Sequence, residues 1–284
     1  MVKSNCKILL IVLLFNSCQK IKYYPDKEYS EVTTLIIAHR GNGGNPIYQG
    51  NSIEAAEYGL MHADGIEVDI QLSKDRTIWL AHDAELPDCG GVFYDCFPEA
   101  YDYEIIELDS CNGDEMNYYK LEDIFDLMST KYPGKIISLD VKIWSPCAVT
   151  SVNIFGVMNV IADEIIRLTD KYNMHNLVMA ESEVASFLIY LQENSSGIET
   201  YLSAWGDFER AMQISLEGGF SGISFKYKFD EEINTDHIQL IRKKGLKIQL
   251  WTVNSEEDIN EALSINPDYI QTDNIDYFLN HVFN

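Results

Sequence analysis

Residues 200–253 read TYLSAWGDFERAMQISLEGGFSGISFKYKFDEEINTDHIQLIRKKGLKIQLWTV, and in them short apolar runs alternate with longer amphipathic segments. The runs lie at 200–204, 222–226 and 246–253, and the amphipathic segments lie at 207–217 and 235–243. Short apolar runs are typical of buried strands, and apolar residues spaced three and four apart are typical of helices. The alternation therefore predicts βα units around a parallel sheet.

The same alternation extends outward from this stretch toward both ends of the chain. Further strands are predicted at 34–38, 65–71, 77–82, 135–141 and 176–180, and further helices at 52–62, 121–130, 152–171, 182–193 and 255–263. Eight predicted strands in one domain favour a closed (β/α)8 barrel, the TIM barrel.

One part of the chain departs from the alternation. Only residues 73–76 separate the second and third predicted strands, which is too short for a helical crossover and predicts a hairpin-like turn. After the third strand, residues 84–119 show no clear period and contain Gly90-Gly91 and many aromatic residues. We therefore expect a single domain with a loop insertion at 84–119, on the barrel face where loops that follow strands build active sites.

Titratable residues cluster at the carboxyl ends of the early predicted strands. They are His39, Arg40, Glu67, Asp69, His82, Asp140 and Lys142. Glu67 and Asp69 are two residues apart on one strand, so their side chains share a face, which we expect to be the barrel interior.

These residue types in this arrangement have a chemical meaning. Carboxylate oxygens suit Ca²⁺ or Mg²⁺, imidazoles transfer protons near neutral pH, and Arg and Lys bind phosphate. The alternative is a buried ion network in which the acids pair with Lys142 or Arg40 and hold no metal. The formal net charge of −24 argues against a nucleic-acid partner, because a phosphate polymer would be repelled at long range.

The amino terminus has the features of a targeting segment. A positively charged start is followed by an apolar run at 8–15, which is too short to span a bilayer, and then by Cys18. Residues 1–17 resemble a bacterial lipoprotein signal peptide, which implies lipidation of Cys18; a plain secretory signal is the alternative. We expect residues 18–32 to be a tether and 33–284 the barrel domain. The expected product is an exported lipoprotein, periplasmic or at the cell surface, that meets the membrane only through its lipid.

Four cysteines remain in the mature chain: Cys89, Cys96, Cys111 and Cys147. An even number in an exported protein permits two disulfides, with three possible pairings. Buried free thiols are the alternative.

Several motifs together resemble one enzyme family, the glycerophosphodiester phosphodiesterases. They are AHRG at 38–41, NS at 51–52, GIEVDIQLSKD at 65–75, HD at 82–83, LDVK at 139–142, WTVN at 251–254 and QTD at 271–273. The resemblance extends over roughly residues 35–278.

The resemblance implies metal-dependent hydrolysis of a small-molecule glycerophosphodiester to glycerol 3-phosphate and an alcohol, a reaction of lipid metabolism. It implies that His39 and His82 are the acid/base pair, that Glu67, Asp69 and Asp140 hold Ca²⁺ or Mg²⁺, that Arg40 and Lys142 contact the phosphate, and that Trp251 lines the pocket. Core packing is the alternative role for Trp251.

The chain departs from the family pattern at three places. Gly50 stands where the family usually has Glu, Asp140 stands where Glu is usual, and the cysteine-rich insertion at 84–119 replaces the usual continuation. Two other functions therefore remain open: a catalytically degenerate barrel that acts as a binding or surface protein, and a phospholipase-like enzyme acting on lysophospholipids or phosphoinositides. Zinc amidohydrolase chemistry is disfavoured because the first strand lacks a His-x-His pair. The sequence leaves the oligomeric state open.

Overall fold

The computed structural model describes residues 33–86, 96–109, 118–142, 154–229 and 233–281. The strands are β1 (Leu35–Ala38), β2 (Gly65–Leu72), β3 (Ile78–Leu80), β4 (Ile136–Val141), β5 (Val178–Ser182), β6 (Ile198–Ala204), β7 (Gly222–Lys226), β8 (Lys247–Trp251) and β9 (Tyr269–Thr272). The α-helices are α1 (Ile53–His62), α2 (Asp102–Asp109), α3 (Leu121–Lys131), α4 (Ile154–Lys171), α5 (Ala185–Asn194), α6 (Phe208–Gly218), α7 (Thr235–Lys243), α8 (Glu256–Ile265) and α9 (Ile275–His281), with a 3₁₀ helix at Phe97–Glu99. The segments 1–32, 87–95, 110–117, 143–153, 230–232 and 282–284 lie outside the described residues.

Eight strands form a closed parallel barrel in the order β1-β9-β8-β7-β6-β5-β4-β2, and a β1–β2 pairing closes the ring. The predicted (β/α)8 barrel is confirmed. The predicted strand at 77–82 is not one of its eight members, because β3 pairs antiparallel with the end of β2, with Ile70 opposite Leu80. The short turn at 73–76 explains this, since a parallel return needs a longer crossover. The eighth member is β9, which the apolar pattern did not predict.

Most helices match the predicted ranges, and α2 and α9 are additional. The start of α1 is fixed by Ser52, whose hydroxyl accepts a hydrogen bond from the Ala55 amide at 3.1 Å. Ser255 caps α8 in the same way through the Asp258 amide at 3.1 Å. These caps satisfy backbone donors that the first helical turn leaves unpaired. They also fix where the chain turns back from the barrel mouth toward its floor.

The main core lies between the barrel strands and the helices. On β2 the apolar side chains of Ile66, Val68 and Ile70 are fully buried in this layer, while Glu67 and Asp69 are buried without joining it. Alternation along a strand sends neighbouring side chains to opposite faces, so both acids face the barrel interior, as predicted.

The described part of the insertion at 84–119 has a small core of its own, in which Trp79 of β3 packs with Phe97 and Ile105. Asp102, at the start of α2, accepts hydrogen bonds from Ser73 and Thr77 at 2.6 Å and from the Trp79 indole at 3.1 Å. The insertion is therefore anchored to the β2–β3 hairpin beside the barrel mouth.

Cys96, in the same insertion, is buried and disulfide-bonded. Its partner lies outside the described residues, as do Cys89, Cys111 and Cys147, so the pairing stays a prediction. Among the described helices, none is long and apolar enough to cross a membrane.

Candidate active site

A cavity of about 510 Å³ opens at the carboxyl ends of the barrel strands. Seven of the predicted site residues line it: His39, Arg40, Asp69, His82, Asp140, Lys142 and Trp251. Glu67 lies beneath them, 1% exposed, within reach of the same carboxylates. The structure therefore brings together every predicted site residue except Cys18, which is outside the described residues.

The backbone after β1 explains how His39 and Arg40 reach this cavity. Arg40 and Gly41 have φ angles of 51° and 79°, so the chain bends sharply where the strand ends. A Cβ atom at Gly41 would lie 2.9 Å from the Ala56 amide nitrogen, so this bend requires glycine. The bend directs the Arg40 amide at Glu67 Oε2, 2.8 Å away.

Three carboxylates form the centre of the cavity wall. Asp69 of β2 lies opposite Asp140 of β4 in the sheet register, and one oxygen from each of Glu67, Asp69 and Asp140 lies within 4.8 Å of the others. Burial raises the pKa of Glu67 well above its ordinary value, and repulsion by Asp69 and Asp140 adds to the rise. Burial also raises the pKa of Asp140 to about 7, although Lys142 opposes the shift.

Two cations neutralise part of this cluster. Lys142 Nζ lies 3.0 Å from Asp69 Oδ1 and 2.5 Å from Asp140 Oδ2, and Arg40 Nε lies 3.2 Å from Asp69 Oδ2. Burial alone would raise the pKa of Asp69, but Lys142 and Arg40 hold it below its ordinary value. The buried ion network that the sequence left open is therefore present around Asp69.

Glu67 lies outside that network. Its Oε1 atom is buried and has no hydrogen-bond partner among the described residues. When all are ionised, the four carboxylates of Glu67, Asp69, Asp140 and the nearby Glu181 exceed the two cations Arg40 and Lys142 by two negative charges. An all-oxygen donor set with this excess charge fits one divalent cation of the Ca²⁺ or Mg²⁺ type.

Asn51 positions Asp69, a role that the sequence motif did not assign. Its side-chain amide donates to Asp69 Oδ2 at 2.9 Å, and its Oδ1 accepts from the Asp69 backbone amide at 3.0 Å. This paired contact fixes the carboxylate in one orientation.

The two histidines differ in how they are held. His39 Nδ1 bonds to Asp273 Oδ1 at 2.7 Å, and Asn254 donates to the other Asp273 oxygen at 2.9 Å. His39 Nε2 lies 3.7 Å from Glu67 Oε2, so it is directed at the carboxylate cluster. His82 Nδ1 bonds to the neighbouring Asp83 at 2.8 Å, and both side chains are exposed at the mouth. Asp273 belongs to the QTD motif, but only the structure shows its contact with His39.

The other half of the cavity is aromatic. Trp251 lies on the wall, as predicted, and its ring meets that of Trp205 edge-on with centroids 5.0 Å apart. Lys226 Nζ lies 4.4 Å from the Trp251 ring centroid and 5.3 Å from that of Trp205. Sequence reasoning missed Trp205 and Lys226. Their position at the ends of predicted strands was the available signal, but both residue types are also common in structural roles.

A further missed residue, Glu181 of β5, lines the same cavity with 3% exposure. Its Oε1 accepts from Ser138 at 2.9 Å and from Gln271 at 2.7 Å, and its Oε2 accepts from Gln249 at 3.0 Å and from Ser224. The predicted strand at 176–180 ended one residue too early to include it.

Gly50 lies against Arg40, so the departure from the family pattern falls at the site. A Cβ atom at this position would be 3.0 Å from Arg40 Cβ and 3.4 Å from Arg40 Cδ. A larger side chain here would therefore contact the guanidinium arm.

Comparison with known proteins gives a consistent result. The glycerophosphoryl diester phosphodiesterase family model matches residues 39–277. A glycerophosphodiester phosphodiesterase of Caldanaerobacter subterraneus subsp. tengcongensis is 24% identical over 263 residues, which are 88% of this chain and 98% of that protein.

Solved structures share the fold. The glycerophosphodiester phosphodiesterase of Thermotoga maritima superposes with a TM-score of 0.66 at 21% identity, covering 88% of this chain and 99% of that one. A phosphodiesterase of Oleispira antarctica, solved with the product sn-glycerol-3-phosphate, superposes with a TM-score of 0.70 at 18% identity. The match covers 89% of this chain and 98% of that one. Because the family model spans most of the sequence, the chain belongs to the glycerophosphoryl diester phosphodiesterase family and is a phosphoric diester hydrolase by class.

Proposed function

We propose that this protein hydrolyses glycerophosphodiesters to glycerol 3-phosphate and an alcohol, with His39 and His82 as the acid/base pair and with a divalent metal ion. The buried Oε1 of Glu67 is the strongest support, because a carboxylate oxygen without a partner is costly in a folded protein unless a ligand satisfies it. The product named for the Oleispira antarctica structure supports the substrate class.

Glu67, Asp69 and Asp140 would hold the ion, and either Ca²⁺ or Mg²⁺ suits three carboxylates. A bound divalent ion supplies Lewis-acid polarisation of a phosphoryl oxygen and lowers the pKa of a hydroxyl nearby. Arg40 and Lys142, on either side of Asp69, would face the remaining phosphoryl oxygens and balance their charge.

His39 is the histidine placed to act as the base. Asp273, itself held by Asn254, fixes Nδ1, and this leaves Nε2 directed at the carboxylate cluster, where it would take the proton of the attacking hydroxyl. That hydroxyl would be a neighbouring glycerol hydroxyl in the first step, giving a cyclic phosphate that water opens in the second. His82, more exposed across the cavity, would donate a proton to the departing alcohol oxygen.

Release of glycerol 3-phosphate from a panel of glycerophosphodiesters tests this function, using protein beginning at Gln19 with Ca²⁺, Mg²⁺ or EDTA. Metal-dependent release that His39→Ala abolishes is the expected result. His175→Ala is a matched control, because His175 is a surface histidine outside the cavity, bonded to the Ser196 carbonyl. If folded protein released no product with either metal, the hydrolase function would be wrong and a binding role for the barrel would replace it.

A lysophospholipid belongs in the same panel, because Trp205 lines the cavity and packs edge-on against Phe229 at 5.5 Å. The two side chains are 43% and 52% exposed. Exposed aromatic residues beside a site can contact an acyl chain. Faster turnover of the lysophospholipid than of its deacylated counterpart would favour the phospholipase-like function.

We further propose that the chain is exported and anchored through lipid on Cys18, as the segment before it indicates. Metabolic labelling with a radioactive or alkyne fatty acid tests this. Label on the wild type and none on Cys18→Ala is the expected result, and equal labelling of both would contradict the proposal.

A further inference from the structure

Lys226 differs from the other cations that line the cavity. Arg40 and Lys142 each lie within 3.2 Å of a carboxylate oxygen. Lys226, at the end of β7, makes no ion pair with any carboxylate of the described residues, and its ammonium lies against the indole rings of Trp205 and Trp251. Within the part of the chain that the structure describes, it is therefore a positive charge in the cavity wall that pairs with no carboxylate.

The surroundings of Lys226 make this charge costly. Burial lowers the pKa of Lys226, and repulsion by Lys142 adds to the effect, while Asp273 opposes it. The nearby carboxylate of Glu183 is engaged elsewhere, since its Oε1 accepts a hydrogen bond from the Trp205 indole at 2.5 Å. An anionic group entering this half of the cavity would compensate the charge.

The aromatic pair gives a second argument about the ligand. Two indole rings at 89° with centroids 5.0 Å apart form the kind of aromatic corner that binds a quaternary ammonium. Here the ammonium of Lys226 itself occupies that position, 4.4 Å from the Trp251 centroid. A choline group would meet a like charge there, so the corner selects against cationic alcohols.

The phosphodiester and its two substituents must divide the cavity between them. The predicted metal ligands, His39 and the paired cations lie on or at the ends of β1, β2 and β4, and Lys226 with the two tryptophans lies at the ends of β6, β7 and β8. With the phosphoryl group at the first side, one substituent reaches the second side.

We propose that Lys226 binds an anionic group on the alcohol part of the substrate, such as the carboxylate of a serine head group, and so sets the preference of the enzyme for that class of glycerophosphodiester. This specificity rests on the proposed hydrolytic function.

Glycerophosphoserine and glycerophosphoethanolamine test the proposal because they differ only by one carboxylate. Wild-type enzyme is expected to show the higher kcat/KM for the serine substrate. Lys226→Met keeps most of the aliphatic stem over the indoles and removes the charge, and it is expected to lower the serine-to-ethanolamine ratio by about 10- to 100-fold, the value of a charge-assisted hydrogen bond. An equal loss for both substrates would overturn the proposal, since Lys226 would then contact the shared phosphate or glycerol.

The matched control is Lys228→Met, two residues away. Its ammonium pairs with Asp258 and Glu261 at 2.6 and 2.7 Å and lies outside the cavity. The same substitution there is expected to leave the substrate ratio as in the wild type.

A binding measurement separates this proposal from the hydrolytic function. Calorimetric titration with O-phosphoserine and with phosphoethanolamine needs no turnover. Tighter binding of O-phosphoserine, lost in Lys226→Met, is expected; equal affinity of the wild type for both would overturn the proposal even if hydrolysis is observed. Absence of hydrolysis with selective binding would instead contradict the proposed function alone.

Discussion

Two buried carboxylates inside the same barrel have opposite surroundings. Glu181 of β5 and Glu67 of β2 both lie on barrel strands and face inward, and they are 3% and 1% exposed. Glu181 receives four hydrogen bonds from neutral side chains, two to each oxygen. Glu67 receives one, from the Arg40 amide to Oε2, and its Oε1 receives none from the described residues.

The difference separates a structural acid from a functional one. Full hydrogen bonding lets Glu181 stay in the interior without a cation, and its charge adds to the repulsion that raises the pKa of Glu67. Glu67 is left with high affinity for a proton or a metal ion. Burial and residue type are the same in both, so the count of donors decides which carboxylate is open to a ligand.

Glu67→Gln is expected to have the largest effect. Loss of a metal ligand should lower kcat/KM on the order of 10³-fold, because the ion contributes several kcal/mol to the transition state. In metal-free buffer the variant should be as stable as the wild type or more stable, since a repelling charge is gone. Added Ca²⁺ or Mg²⁺ should raise the melting temperature of the wild type but not of the variant. Thermal unfolding with and without EDTA, beside the activity assay, measures both effects; metal stabilisation of the variant would contradict the assignment of Glu67.

Asp273→Asn tests a third carboxylate. Asp273 bonds to the side chains of His39 and Asn254, so the number of its partners lies between those of Glu67 and Glu181. The asparagine keeps the shape but removes the charge that faces His39 Nδ1. We expect kcat to fall by about 10- to 100-fold with little change in KM. Steady-state kinetics of the variant and the wild type with one glycerophosphodiester measure the two constants. A variant with the wild-type kcat would show that Asp273 serves only packing.

Glu181→Gln should affect stability more than catalysis. An amide accepts at only one of its two ends, so at least one of the four donors loses its partner, at a cost of about 1 to 2 kcal/mol. Urea unfolding measures the loss, and metal-induced stabilisation serves as the control because the ligands of the ion are untouched. If the variant instead lost metal binding while keeping its stability, Glu181 would belong to the metal site.

The sequence predicted the barrel because strand and helix periods differ strongly along the chain, as in 200–253. The hairpin-like turn predicted at 73–76 is confirmed. The third predicted strand was wrongly counted among the eight barrel strands, since apolar content alone does not distinguish a barrel strand from a hairpin extension. The apolar pattern missed β9 because two of its four residues, YIQT, are polar. Gln271 donates to Glu181 inside the barrel and lines the cavity, and Thr272 accepts from the Asn274 amide.

The candidate site was predictable where motif residues carry the chemistry themselves, as with His39, Glu67 and Asp69. Asp273, Lys226 and Glu181 could not be assigned roles in this way, because each role depends on a contact between distant strands. His39 and Asp273 are 234 residues apart in sequence, yet they form a 2.7 Å hydrogen bond. Local patterns hold no information on such a pair.

Gly50→Glu restores the carboxylate that the family pattern has at this position and is expected to have the smallest effect. The new side chain would lie against Arg40 and compete with Asp69 for the guanidinium. One partly exposed ion pair would replace another, and each such pair contributes up to ~1 kcal/mol. We therefore expect kcat/KM to change by less than about fivefold relative to Gly50→Ala, which controls for the added Cβ. A gain well beyond that over Gly50→Ala would mean that the open Oε1 of Glu67 is insufficient for full activity, and that this barrel had lost part of its catalysis with the missing acid.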